Sequence, residues 1–282
     1  MLRSTLLVTL TAAAALAGTA CTKDSAATSQ SSAMPKDAEA RMARLEKRID
    51  KIQEVLEKVL PPAEADPEAT YSVPVDPMDP VEGPADAKVT IVEGYEFACP
   101  YCFMAHPVVE QLRAEFPNDV RVVSKYFVIH PQAVPAGLAV CAANKQGKFT
   151  EFKEALWTQA WSPEGRPITD QLTPESMEKF AGQLGLDTEK FKADMSGPDC
   201  KGWLERSRDT LTPVGTNGTP AFYINGHQTG LGRPDDMKKL VADALSKADQ
   251  TISGGVKQAD FYQVAVVDQG LKKVKGWFEL DE

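Results

Sequence analysis

The feature that most narrows what this chain can become is a pair of cysteines two residues apart, Cys99-Pro100-Tyr101-Cys102, placed where a strand-like run gives way to a helical pattern. Val89 to Glu93 is short, apolar and β-branched, as a strand requires, and the residues after Cys102 read as a helix through Phe116. Such a junction puts the first sulfur at a helix N-terminus, where unpaired N–H groups and the helix dipole favour thiolate over thiol. The second sulfur falls one turn in, within reach of a mixed disulfide formed on the first. Disulfide exchange needs that arrangement: an exposed nucleophile of low pKa and a shielded resolving thiol behind it. Pro100 suits the first helical position, since its missing N–H would be unpaired there anyway. On this reading Cys99 attacks and Cys102 resolves. Two other uses of the pair stay open from spacing alone. A zinc site would need two further ligands, and no second pair at this spacing exists; an inert structural disulfide would need only the pair itself.

Around the junction the elements alternate. Val120 to Phe127 reads as a second strand, and Pro135 to Leu211 as entirely helical, punctuated at Gly147, Pro163, Pro167, Gly185 and Gly197-Pro198. Ala221 to Ile224 and the residues after Asn225-Gly226 form a hairpin, because Asn-Gly favours a type I′ turn. Pro234 to Ala248 is helical, with Pro234 in the first turn. In the tail, 249–282, the apolar segment Phe261 to Val267 reads as a helix ended by Gly270, with a strand as the alternative. The order is therefore strand, helix, strand, helical block, hairpin, helix, and no internal repeat interrupts it.

The segment Glu93-Gly94-Tyr95-Glu96-Phe97-Ala98-Cys99-Pro100-Tyr101-Cys102, the helical block, and Gly218-Thr219-Pro220-Ala221-Phe222-Tyr223-Ile224-Asn225-Gly226 together resemble the DsbA-like branch of the thioredoxin superfamily. The resemblance covers residues 88–248. It implies an α/β thioredoxin fold with an inserted all-helical subdomain at about 135–211, and thiol–disulfide chemistry on polypeptides. It also implies that Pro220 is cis and faces the cysteine pair, with Thr219 offering backbone groups to an extended substrate. The family often carries an acidic residue six positions before the first cysteine, matched here by Glu93. Buried under the site, that carboxyl would handle the proton of Cys102; a partly exposed carboxylate at a strand end is the alternative. Glu96 and Lys125 are further candidates for tuning the site. Two departures matter. Tyr101 stands where strongly oxidising relatives have His, which removes one source of thiolate stabilisation and predicts a less oxidising couple. Thr219 before the proline resembles the isomerase and reductase branches more than the dedicated oxidases.

The chain has five cysteines, an odd number. Arg3, an apolar run from Leu6 to Leu16 and the small residues Gly18-Thr19-Ala20 read as a secretory signal over 1–20, too short for a stable membrane span. Leu16-Ala17-Gly18-Thr19-Ala20-Cys21 resembles a bacterial lipoprotein box, although Gly18 stands where Leu is usual. If Cys21 takes a lipid, two pairs remain, Cys99/Cys102 and Cys141/Cys200, and the cysteine arithmetic closes. Ordinary signal cleavage with soluble export is the alternative. Cys141 and Cys200 sit at opposite ends of the helical block; paired, they close a loop of about 60 residues and stabilise by about 4 kcal/mol. Two separate buried thiols are the other possibility.

Residues 21–36, rich in Ser, Ala and Thr, read as a flexible tether. Over 37–60, Met42, Leu45, Ile49, Ile52, Leu56 and Val59 recur at alternating steps of three and four between charged flanks. This heptad seam suits a coiled coil between subunits, dimer or trimer. Ile at both seam positions with Leu56 at an a position leans to three strands, and an amphipathic helix lying on its own domain is the alternative. Prolines crowd 61–87, which reads as a stiff linker.

The formal net charge of −9, with no basic stretch on the folded part, excludes a phosphate-binding face and hence nucleic acid as a partner. His106, His130 and His227 have no metal-ligand spacing, and Phe149, Phe152, Trp157 and Trp161 read as core. No dinucleotide or phosphate loop appears, and the cysteine pair is itself the redox group, so neither cofactor nor metal is required. The expected partners are exported polypeptides with cysteines and a redox partner that recharges the pair, in the periplasm or cell envelope, at a membrane if Cys21 is lipidated.

Overall fold

The computed structural model describes residues 36–59 and 65–275. The signal segment, Cys21, the tether as far as residue 35, and residues 276–282 lie outside the described residues. Helix α1 spans Lys36–Val59, one residue off the expected bounds, and carries Asp37 and Glu39 in its first turn, where acids suit the helix dipole. Of the described residues, those up to Glu54 fall in one unit and those from Val55 onward in another. Met42, Leu45, Ile49 and Ile52 on it are each about half exposed.

The second unit is built on a five-stranded sheet. Its elements are β1 (Val81–Glu82), β2 (Val89–Tyr95), α2 (Pro100–Glu115), β3 (Val120–Tyr126), α3 (Val134–Asn144), α4 (Phe149–Gln159), α5 (Pro174–Gln183), α6 (Thr188–Ser196), α7 (Pro198–Leu211), β4 (Ala221–Ile224), β5 (His227–Thr229) and α8 (Pro234–Ser253). The strand order is β1-β3-β2-β4-β5. β2 runs parallel to β3 and antiparallel to β4, which leaves it central, and all seven of its residues are buried. That explains its near-continuous apolar sequence, since both faces are covered. Asn225 and Gly226 both take positive φ (45° and 82°) and turn β4 into β5, as a type I′ hairpin requires.

Side-chain alternation divides the sheet. Ile91, Val122, Phe222 and Ile224 face α2 and α8 and pack on Val109, Leu112, Met237 and Val241. Val92, Val123 and Tyr223 face the other way, onto Leu211, Tyr71, Val73, Tyr262 and Val266. A third core fills the helical subdomain and reaches Cys99 and Cys102 at its margin.

Two expectations need correction, and a third gains detail. The stretch expected as a stiff linker is, from residue 65, part of the domain: Tyr71 and Val73 are buried, and Val81–Glu82 adds an edge strand antiparallel to β3. Its prolines break helix without preventing burial, because an extended strap satisfies its backbone on neighbours, as Tyr71 N does on the Gly226 carbonyl at 2.8 Å. The helical block is not helical throughout. Residues 160–168 form a loop with a bridge between Trp161 and Pro167, followed by a 3-10 turn at Thr169–Gln171, since two prolines and Gly165, at φ 72°, cannot continue α4. The tail segment is helical as expected, and of π type, at Tyr262–Val267. It is held there by Tyr262, whose hydroxyl donates to the Val73 carbonyl at 2.8 Å.

Candidate active site

Cys99 caps α2. Its backbone is extended (φ −91°, ψ 117°), Pro100 follows at the first turn, and its carbonyl accepts from the N–H of Cys102 and of Phe103, both at 3.1 Å. Phe97 and Ala98 are fully enclosed, which anchors the turn between β2 and α2. Cys99 is less open than a free nucleophile would be, with 4% of its surface exposed, because the Thr219 carbonyl lies 3.2 Å from its sulfur and accepts from the thiol. Cys102 is wholly buried. Tyr101, between them, is 64% exposed and points away from the core.

Electrostatics separate the two sulfurs. The Cys102 thiol, donating to Cys99, is the largest influence on it; burial opposes, and hydrogen bonds from Thr219 and from the backbone N–H of Cys102 and Tyr101 add to the first effect. Together they hold Cys99 down at about 5. Burial, with the bond and charge of Cys99 behind it, pushes Cys102 well above the ordinary thiol range. One sulfur is therefore ionised near neutral pH, and the other keeps its proton.

The Thr219–Pro220 peptide bond is cis and lies against Cys99. Thr219, Pro220, Gln228 and Thr229, with Ala65 of the strap, line an open groove of about 510 Å³. Glu93 is buried on β2, and desolvation raises its carboxyl to about 7; the Lys153 charge opposes, and Glu82 and Glu110 reinforce. Cys141 and Cys200 are joined by a disulfide between α3 and α7.

Of the other tuning candidates, only Glu96 acts on the pair, through a backbone hydrogen bond to Cys102. Lys125 is opposite Gly94 on β3, so its side chain leaves the sheet on the face away from Glu93; there it donates to Asp79 at 2.6 Å, and both are buried. Glu96 is fully buried and accepts from the backbone N–H of Ile129 and His130 while pairing with the His130 ring, which fixes the loop after β3. His106 is turned towards α4, stacked on Trp157 with Nε2 3.1 Å from Glu154 Oε2, and His227 reaches Thr70. His106, Glu110 and Glu154 bring donor atoms within 4.8 Å of one another, but Lys153 Nζ, 2.9 Å from Glu110, already supplies a cation there. Lys153 escaped the sequence reading because an isolated Lys on an amphipathic helix normally points to solvent. Its one signal was its spacing: Phe149, Phe152, Lys153 and Leu156 share the buried face of α4.

A family model for thioredoxin matches residues 76–243, more than half of the chain. The chain belongs to the thioredoxin family. Its fold is the DsbA-like form, with the helical block inserted between β3 and β4. Among solved structures of the family it is similar to a thioredoxin-like oxidoreductase from Silicibacter pomeroyi DSS-3, at 29% identity, covering 62% of this chain and 94% of that one with a TM-score of 0.52. It is also similar in fold to BdbD from Bacillus subtilis, at 23% identity, covering 63% and 98% with a TM-score of 0.55. Among curated sequences it is 34% identical over 156 residues to a protein named Na(+)/H(+) antiporter NhaA from Herminiimonas arsenicoxydans. That match takes in 55% of this chain but only 24% of the relative's length. No helix among the described residues of this family member is long and apolar enough to cross a membrane.

Proposed function

We propose that this chain is a thiol–disulfide oxidoreductase acting on cysteines of exported proteins through Cys99 and Cys102. The observation that carries the reading is the contrast within one helical turn: a sulfur held down at about 5 at the start of α2, and a buried sulfur behind it pushed far up. In the reducing direction the Cys99 thiolate attacks a substrate disulfide. One substrate sulfur leaves with the electron pair, and a mixed disulfide remains on Cys99. Cys102 then gives up its proton, Glu93 being the nearby acceptor, and attacks Cys99. The second substrate sulfur leaves, the substrate is a dithiol, and the enzyme carries the Cys99–Cys102 disulfide. Oxidation of a substrate runs the same steps backwards, with Glu93 returning the proton. The groove beside Thr219 and Pro220 would hold the extended substrate next to the sulfur.

A second reading, isomerase or reductase rather than oxidase, is favoured by Tyr101 between the cysteines and Thr219 before the cis proline. The proposal further places the protein in the periplasm or cell envelope, tethered by a lipid on Cys21 and recharged by a separate redox partner. The heptad seam on α1 would join two or three copies. Insulin reduction with Cys99→Ser as control tests the activity: turnover in the parent and none in the variant is expected, and equal rates would overturn it. Refolding of a scrambled multi-disulfide substrate separates isomerase from oxidase. Deleting 37–60 should yield a monomer that still exchanges disulfides; an unchanged mass by light scattering would refute the role of the seam.

A further inference from the structure

Glu93 is not alone under the cysteines. On the sheet, Glu82 lies opposite Val122 and Glu93 opposite Ser124, and those partners are two apart on β3. Both carboxyl groups therefore leave the same face, the one that α2 covers. Onto this face α4 delivers Lys153, whose Nζ is 2.6 Å from Glu82 Oε2 and 2.9 Å from Glu110 Oε1 of α2. Arg113 of α2 completes the group, at 3.2 Å from Glu82 and 2.5 Å from Glu110. Glu82, Lys153 and Glu93 are all nearly enclosed.

The charges do not balance. Two cations, Lys153 and Arg113, match two carboxylates, Glu82 and Glu110, each in direct contact. Glu93 is the odd acid: ionised, it leaves the cluster one negative charge in excess in a poorly solvated place; protonated, it leaves the cluster neutral. The other titratable groups facing it are Cys102 from the start of α2 and Tyr95 from its own strand; burial pushes both well up, with the Glu93 charge adding to it, so both are neutral where Glu93 titrates. Glu154, half-exposed on α4, lies 4.0 Å from Lys153 Nζ and pairs with His106, which acts on Glu110 in turn. Lys153 is thus the cation that opposes everything else acting on Glu93.

We propose that Lys153 is a positioning residue for the proton step, its charge setting the pH at which Glu93 can take the proton released by Cys102. The inference rests on the oxidoreductase reading above. In the step concerned the Cys102 S–H bond breaks, its proton passes to a Glu93 oxygen, and the sulfur lone pair forms the bond to Cys99. The bond between Cys99 and substrate breaks with its electron pair on the substrate sulfur. The dithiol is oxidised and the substrate disulfide reduced, and no further reactant is needed.

The test is the pH profile of the resolving step in single turnover, reduced protein against a disulfide peptide, beside a carbon-13 NMR titration of the Glu93 carboxyl. In the parent both midpoints should fall near 7. Lys153→Met should move them up, and Glu110→Gln down, each by about one pH unit, because one deletes an opposing cation and the other a like charge. Lys153→Arg should restore the parental midpoint. A purely structural Lys153 would lower rates or stability without shifts of opposite sign, and midpoints that stay put, or move together, overturn the proposal. Should Lys153→Met not fold, Glu110→Gln decides, since it keeps the Lys153–Glu82 pair; a downward shift supports the proposal and an unmoved midpoint sinks it. A parent protein that exchanges no disulfides at all would instead refute the oxidoreductase reading.

Discussion

The molecule holds two cysteine pairs that burial alone does not tell apart: Cys99 is 4% exposed, Cys141 2%, and Cys102 and Cys200 are fully enclosed. What differs is the company. Cys141 and Cys200 lie 59 residues apart on two helices and meet inside an apolar core as a closed disulfide, although Cys200 too lies in the first turn of its helix. Cys99 sits where a helix begins, with N–H groups and a second thiol aimed at it and a cis proline loop across its face. The first pair can only be closed or open; the second can hold charge. Reactivity here follows from local donors, not from depth.

The largest expected effect breaks that comparison in half. Cys99→Ser should abolish exchange with insulin, a loss of about a thousandfold or more, since the remaining thiol of the pair, Cys102, is buried and keeps its proton. The Cys141→Ala/Cys200→Ala variant should keep its turnover but lose about 4 kcal/mol in denaturant unfolding, the closure entropy of its loop. If turnover fell with the second pair as with the first, the division between them would be wrong. Next in size is the pH dependence of alkylation in the reduced protein. Cys99 ionises as pH rises through about 5, so iodoacetamide should react at full rate above pH 6 and slow below pH 5, with Cys102 unlabelled throughout. A midpoint near that of a free thiol, about 8.5, would remove the basis for catalysis.

A second contrast, between two buried lysines on opposite faces of the sheet, sharpens the first. Lys125 is closed off with Asp79, which also accepts from Trp203 Nε1 at 2.8 Å. Lys125→Met should cost about 3–5 kcal/mol, the penalty for stranding a buried carboxylate. It should leave the alkylation midpoint of Cys99 where it was, and a shift there would mean the two faces are not insulated. The smallest effect is expected at Tyr101, which is exposed. Tyr101→His should lower the Cys99 midpoint by less than about one unit and make the couple slightly more oxidising. The parent's reduction potential should fall between about −270 mV, as in thioredoxin, and about −120 mV, as in DsbA.

Much of the site was legible because it is local. Cys99, Pro100 and Cys102 are consecutive in a strand-to-helix turn, so sequence spacing alone fixes their geometry, and the Asn225-Gly226 turn was written in the same short-range code. Lys153 was not legible, nor was the irrelevance of Lys125. Whether a lysine meets Glu93 depends on which face of β3 it leaves and on how α4 packs over α2, and neither is a property of neighbouring residues. The strap over 65–80 was misread for a similar reason. Prolines report that a segment is extended, but whether it lies in solvent or on a sheet is settled by apolar partners such as Tyr262 and Val266, nearly 200 residues away.

By itself, then, the sequence determined the redox pair, its helix, the order of elements and the likeness to DsbA-like proteins, since each rests on spacings of a few residues. Tertiary structure alone decided how far Cys99 is covered, which acid and which base stand behind Cys102, and that two cations face three carboxylates beneath it. Those depend on strand register and helix packing, which bring together groups from β1, β2, α2 and α4 that no local pattern connects.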